Sequence, residues 1–220
     1  MGSGLNFSRL LGVSLFTLSL NLSAATLTGV VKNDDEPVFE TVITAVGTLK
    51  TKPILATSPR KMDQRHREFV SHILAIHAGE SVLFPNSDNI QHHIYSFSPA
   101  NSFEVQLYKD VAPKPITFDK AGIVVLGCNI HDWMVGYVYV SDAPYVTQTN
   151  EKGEWSLNLP ADDYTLTLWH PNLDTPNNVQ VQQVKITAEK PAPLEHKITL
   201  KTTSRTGKPP AEDGGNSLYQ

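Results

Sequence analysis

Apolar and polar positions alternate with a period of two along most of the chain beyond residue 25, the pattern of half-buried strands. Thr26 to Val31 is β-rich and runs into the turn Asn33-Asp34-Asp35-Glu36-Pro37, and Thr41 to Val46 is a second short strand. Lys50 to Arg67 is polar, basic and punctuated by Pro53 and Pro59, which predicts a long loop with one helical turn. Phe69 to Ala78 and Glu80 to Phe84 flank Gly79, a hairpin or bulge position. His93 to Phe97, Phe103 to Tyr108 and Ile116 to Asp119 read as further strands. Ile123 to Leu126 is a continuous apolar run between Gly122 and Gly127, and Tyr137 to Val140 alternates behind Gly136. A second series begins at Tyr145 to Thr149. It continues through Trp155 to Leu159, Tyr164 to Trp169, Val179 to Ile186 and Glu195 to Leu200. No heptad or amphipathic helical pattern occurs, so the fold class is all-β.

The two ends read differently. Arg9 precedes the apolar run Leu10 to Leu22, and Ser23-Ala24-Ala25 offers small residues for cleavage after Ala25. Residues 1–25 therefore read as a signal peptide. The run is short for a membrane span and is interrupted by Ser14, Thr17, Ser19 and Asn21. Stable membrane insertion is not expected after cleavage, and the expected location is the periplasm. Residues 202–220 are rich in Gly, Pro and polar side chains and read as a disordered tail. The net charge of -4 carries no basic stripe that would suit nucleic acid.

Chemistry concentrates in one heptapeptide, Cys128-Asn129-Ile130-His131-Asp132-Trp133-Met134, which holds the only cysteine of the chain. In an oxidising compartment a lone thiol is a liability unless something occupies it. The C-x-x-H-x-x-M spacing places a thiolate, an imidazole and a thioether on one loop between two strands. His92 and His93 supply imidazole from upstream. Two His, one Cys and a weak Met are the ligand set of a blue-copper centre. Zinc, or an inert buried thiol, is the alternative use of the same residues. Trp133 reads either as a cover over the site or as a core aromatic, and Asn129 as a donor near the sulfur or a plain loop residue. Asn86 and Asp88 read as loop-ordering residues, and His66, His72 and His77 as surface or packing residues. No Ser-His-Asp order, carboxylate pair, phosphate loop or dinucleotide fingerprint is present, so an enzyme is not expected.

The segment Phe84-Pro85-Asn86-Ser87-Asp88 followed by His92-His93-Ile94, paired with the downstream C-x-x-H-x-x-M, resembles the cupredoxins. The downstream loop is most similar to that of the amicyanins, and the chain as a whole resembles the plastocyanin-type proteins called "methylamine utilization". The resemblance spans residues 69–140. It implies a Greek-key β-sandwich holding one mononuclear type 1 copper on His92, Cys128, His131 and Met134. In the family an Asn follows the upstream His, and here His93 stands at that position. His93 either takes over the Asn's hydrogen bonding or, with the register shifted by one, binds the metal itself. The implied function is single-electron transfer between redox partners such as a cytochrome or a dehydrogenase. A copper carrier without redox turnover is the alternative.

Residues 150–171 read as turn, strand, Pro-turn, strand, and resemble the small transthyretin-like sandwich of carboxypeptidase-regulatory modules. The expected organisation is a copper domain over 26–142 and a smaller sandwich over 143–201. Residues 26–47 resemble the opening of that second module, which would make the copper domain an insertion.

Overall fold

The computed structural model describes residues 24–202, so the expected signal peptide and the expected disordered tail lie outside the described residues apart from 24, 25 and 202. The chain opens with β1 (Ala24–Asn33), β2 (Glu36–Pro37) and β3 (Val42–Gly47). There follow β4 (Arg60–Lys61), β5 (Asp63–Arg65), β6 (Glu68–Val70), β7 (Ile73–His77) and β8 (Glu80–Leu83). Next come β9 (His92–Ser98), β10 (Asn101–Tyr108), β11 (Ile116–Phe118), β12 (Gly122–Gly127) and β13 (Val135–Ser141). The last strands are β14 (Tyr145–Gln148), β15 (Glu154–Pro160), β16 (Asp162–Trp169), β17 (Val179–Ile186) and β18 (Leu194–Ile198). A single 3-10 turn, Pro176–Asn178, is the one helical element among the described residues. Among the described residues, no helix is long and apolar enough to cross a membrane.

Strand pairing divides these elements into two sandwiches. One joins the two ends of the chain: a sheet in the order β15-β1-β18 faces a sheet in the order β14-β3-β16-β17. Leu27, Val31 and Ile43 from the first segment close on Leu157, Leu159, Leu166 and Leu168 from the last. The alternation of β15, with Trp155, Leu157 and Leu159 buried, lays those residues on one face. Residues 26–47 thus pair with the C-terminal strands and not with those of residues 60–141. Besides the short β2, β1 pairs with β15 and β18, more than a hundred residues away.

The other sandwich is built from residues 60–141. A five-stranded sheet, β10-β9-β12-β13-β7, faces a three-stranded one, β11-β8-β4. Met62, Phe84, Ile94, Phe118, Leu126, Met134 and Val138 fill the space between. Gly79, at φ 92, turns the chain from β7 in one sheet to β8 in the other. The stretch 50–67 departs from the sequence expectation of a loop with a helical turn: it carries β4 and β5. Met62 and Gln64 are sealed inside while Lys61 and Arg65 stay exposed, a strand alternation too brief to stand out beside the prolines.

The sandwiches meet across the outer face of the five-stranded sheet. Trp169 packs against Tyr137 and Tyr139 at centroid separations of 5.9 and 5.3 Å, with Val42, Ile73 and Ala75 beneath. β7 is an edge strand, and its outward amides are all met by side chains. Glu40 accepts from Ile73 at 3.0 Å, Gln148 from Ala75 at 2.9 Å and Glu80 from His77 at 3.1 Å. An edge closed this way offers no template to another chain.

His170 ends β16 beside this junction. Burial, joined by the neighbouring charge of His72, lowers its pKa to about 4 from the free value of 6.5. The unfolded chain therefore takes up this proton first as the pH falls. The stabilisation is complete above about 6.5 and is lost as the pH drops toward 4. Lowering the pH from 7.5 to 5 is expected to cost about 2 kcal/mol through this group. Denaturant unfolding of wild type and of His170→Gln at both pH values measures it: the variant should lose less.

Candidate metal centre

The centre forms where two loops of the inserted sandwich meet. The upstream loop, residues 84–91, hangs on Asn86. Its amide nitrogen donates to the carbonyls of Ile90 at 2.8 Å and Tyr108 at 3.1 Å, and its carbonyl accepts from the Asp88 amide at 3.0 Å. This is the local backbone mimicry that Asn supplies in turns. Beneath it, the Tyr108 hydroxyl donates to the Phe84 carbonyl at 2.8 Å, and Gln64 reaches both the Pro85 carbonyl and the Tyr108 hydroxyl. The downstream loop, residues 128–134, spans from β12 to β13, which pair with each other. It closes through the Met134 amide, which donates to the His131 carbonyl at 2.8 Å.

Strand alternation sends the adjacent histidines to opposite faces of the sheet. On β9, His92 and Ile94 face the core and are fully buried, while His93 faces the other side of the sheet. The His93 ring bonds to Glu104 Oε1 at 2.8 Å through Nε2 and stands 5.8 Å from the Tyr95 ring. His92 turns its Nδ1 toward Cys128 Sγ at 3.9 Å, and His131 Nδ1 approaches the same sulfur at 3.6 Å. The three donor atoms lie within 4.8 Å of one another.

This triangle fits a small thiophilic ion. At bonds of about 2.0 Å to imidazole and 2.3 Å to thiolate, a trigonal ion would separate sulfur from each nitrogen by roughly 3.7 Å. The observed 3.9 and 3.6 Å bracket that value. Met134 is buried in the core that also contains Cys128, at the end of the same loop.

Electrostatics prepare the donors. Burial alone would push the Cys128 thiol up, but the His92 ring and the backbone amides of His93 and Ile130 hold it below the ordinary thiol range. Burial works against protonation of His92, yet its bonds to Cys128 and Asp88 leave its pKa raised. Burial, and then the charges of His92 and Arg67, lower that of His131. Asp88 would be raised by burial, but the Arg67 amide, the His92 ring and the His66 amide bring it down. The opposed shifts of Cys128 and His92 favour the charged form of each beside the other.

Position 93 has a use that its side chain does not reveal. Its backbone amide, not its imidazole, helps lower the pKa of the Cys128 thiol. Asn129 is exposed, and the downstream amide on the sulfur belongs to Ile130. Trp133 is half-buried with its ring 5.4 Å from that of His131, which itself remains partly open to solvent. The contact that the sequence left out is Asp88 Oδ2 to His92 Nε2, at 2.8 Å. The spacing of four residues was its one trace.

No family model and no curated protein matches the chain. Among solved structures, the copper-containing nitrite reductase of Thermus scotoductus SA-01 aligns at 22% identity and a TM-score of 0.36. That alignment covers 41% of this chain and 25% of the reductase, so the chain spans about a quarter of that protein's length. A reduced variant of amicyanin aligns at 18% identity and a TM-score of 0.36, over 44% of this chain and 99% of amicyanin. An oxidised amicyanin variant aligns at 17% identity with the same coverage and TM-score.

Proposed function

We propose that the protein is a cupredoxin-like electron carrier, exported to the periplasm, holding one type 1 copper on His92, Cys128, His131 and Met134. The observation that carries this reading is the His92–Cys128–His131 triangle, with edges of 3.9 and 3.6 Å at the sulfur. Two imidazoles, a thiolate and a thioether form the set that suits copper, whereas zinc has little use for Met. Copper bound there would supply a one-electron couple.

The chain's own residues do the rest. Cys128 supplies the thiolate, and the amides of His93 and Ile130 fix its position. His92, wholly buried, anchors the inner side. His131, half-buried, presents a ring edge to solvent and is the contact point for a redox partner. Trp133 lies against that ring and shapes the same surface. Both loops are anchored on paired strands, so the ligands hold one arrangement for two oxidation states. A centre filled by four side chains leaves no open position for a substrate, which sets a carrier apart from an enzyme.

Voltammetry of the copper-loaded protein tests this. A reversible one-electron wave is expected. Copper that binds without a reversible couple and passes readily to a chelator would instead make the protein a copper carrier.

A further inference from the structure

The side of His92 facing away from Cys128 is built as carefully as the side facing it. Its Nε2 meets Asp88 Oδ2 at 2.8 Å, with the imidazole fully buried and the Asp88 side chain 12% exposed. The same oxygen accepts the Arg67 amide at 2.9 Å, and Oδ1 accepts the His66 amide at 2.6 Å. His66 and Arg67 form the turn of the β5–β6 hairpin, and both have positive φ, 55 and 59. Two consecutive non-glycine residues in that region are unfavourable unless something holds them there. Here the conformation aims two successive amides at one carboxylate, a backbone concavity of the kind that binds anions. The hairpin therefore serves to keep a charged carboxylate behind the ring of His92.

We infer that Asp88 is a positioning and tuning residue for the metal, and that its negative charge favours the cupric over the cuprous state. The inference rests on the copper reading above. Two physical effects combine. A ring whose Nε2–H is held by a carboxylate keeps its Nδ1 lone pair directed at the site and becomes a more basic ligand. A carboxylate in a poorly solvated setting also attracts a dipositive ion about twice as strongly as a monopositive one. Cys128 and Asp88 together place two negative charges around a ligand set that would carry one without Asp88. The reduction potential of the centre is thereby lowered.

Asp88→Asn and Asp88→Ser test this. Serine removes the charge yet can still accept an amide proton, so it covers the case in which Asn disturbs the hairpin. Amide NMR spectra of the metal-free variants establish that the fold persists. Affinities for Cu(I) and Cu(II) are measured by competition with chromophoric chelators, and potentials by voltammetry. Cu(II) affinity is expected to fall about 10–100-fold. Cu(I) affinity should fall by about tenfold less, a difference that raises the potential by about 59 mV. Equal losses in both oxidation states, or an unmoved potential in both folded variants, would overturn the tuning role. If the wild type itself shows no copper couple, the copper reading fails and this inference with it. An intact wild-type couple with unmoved variants sinks the inference alone.

Discussion

Cys128→Ser is expected to abolish any intense visible absorption on adding Cu(II) and to leave a folded protein. Cys128 is the one soft anionic donor at the site, and a serine hydroxyl stays protonated and binds soft ions poorly. The sulfur faces two imidazoles, and the amides of His93 and Ile130 favour its thiolate form. Its removal therefore leaves two His with no charge-donating partner. The loss in copper affinity should exceed the roughly 10–100-fold contributed by groups that only support ligands. The fold should persist, because the inserted sandwich draws its core from Phe84, Ile94, Phe118, Leu126 and Val138. The checks are an absorption spectrum, a calorimetric copper titration and an unfolding curve of the metal-free variant. An intense band surviving in the variant would remove Cys128 from the site.

Phe84→Ala is expected to be the most damaging core substitution near the centre, at about 3–5 kcal/mol. Phe84 is wholly buried and lies 6.2 Å from the Phe103 ring. It also opens the upstream loop, and its carbonyl receives the Tyr108 hydroxyl. Truncation opens a cavity under the segment that delivers Asp88 and His92. Saturating copper should recover part of the loss, since a ligand that binds only the folded state stabilises it by mass action. Denaturant unfolding with and without copper measures both effects. A loss below about 1 kcal/mol would mean that the core collapses around the missing ring, against the close packing expected of a buried aromatic.

Much of the centre was legible in the sequence because its residues are local. Cys128, His131 and Met134 share one loop, and a seven-residue spacing between two apolar strands needs no tertiary knowledge. The choice between His92 and His93 needed the strand register, which sets which of two neighbours faces the core, and sequence alone does not reveal it. From the sequence, Asp88 is only a loop-ordering residue. Its bond to His92 depends on the hairpin 63–70, which brings the amides of His66 and Arg67 to it. That hairpin was hidden in a stretch read as loop, since two- and three-residue strands carry no periodicity. The N-terminal segment posed the same difficulty at longer range: Leu27 and Val31 announce a strand, but nothing local says that its partners are β15 and β18.

The most direct measurement is a titration of Cu(II) into the metal-free wild-type protein, followed by visible absorption. An intense thiolate-to-copper band that saturates at one equivalent and bleaches on reduction is the expected result. A chain that stays colourless, or that holds zinc in preference, would contradict a type 1 copper centre at His92, Cys128 and His131.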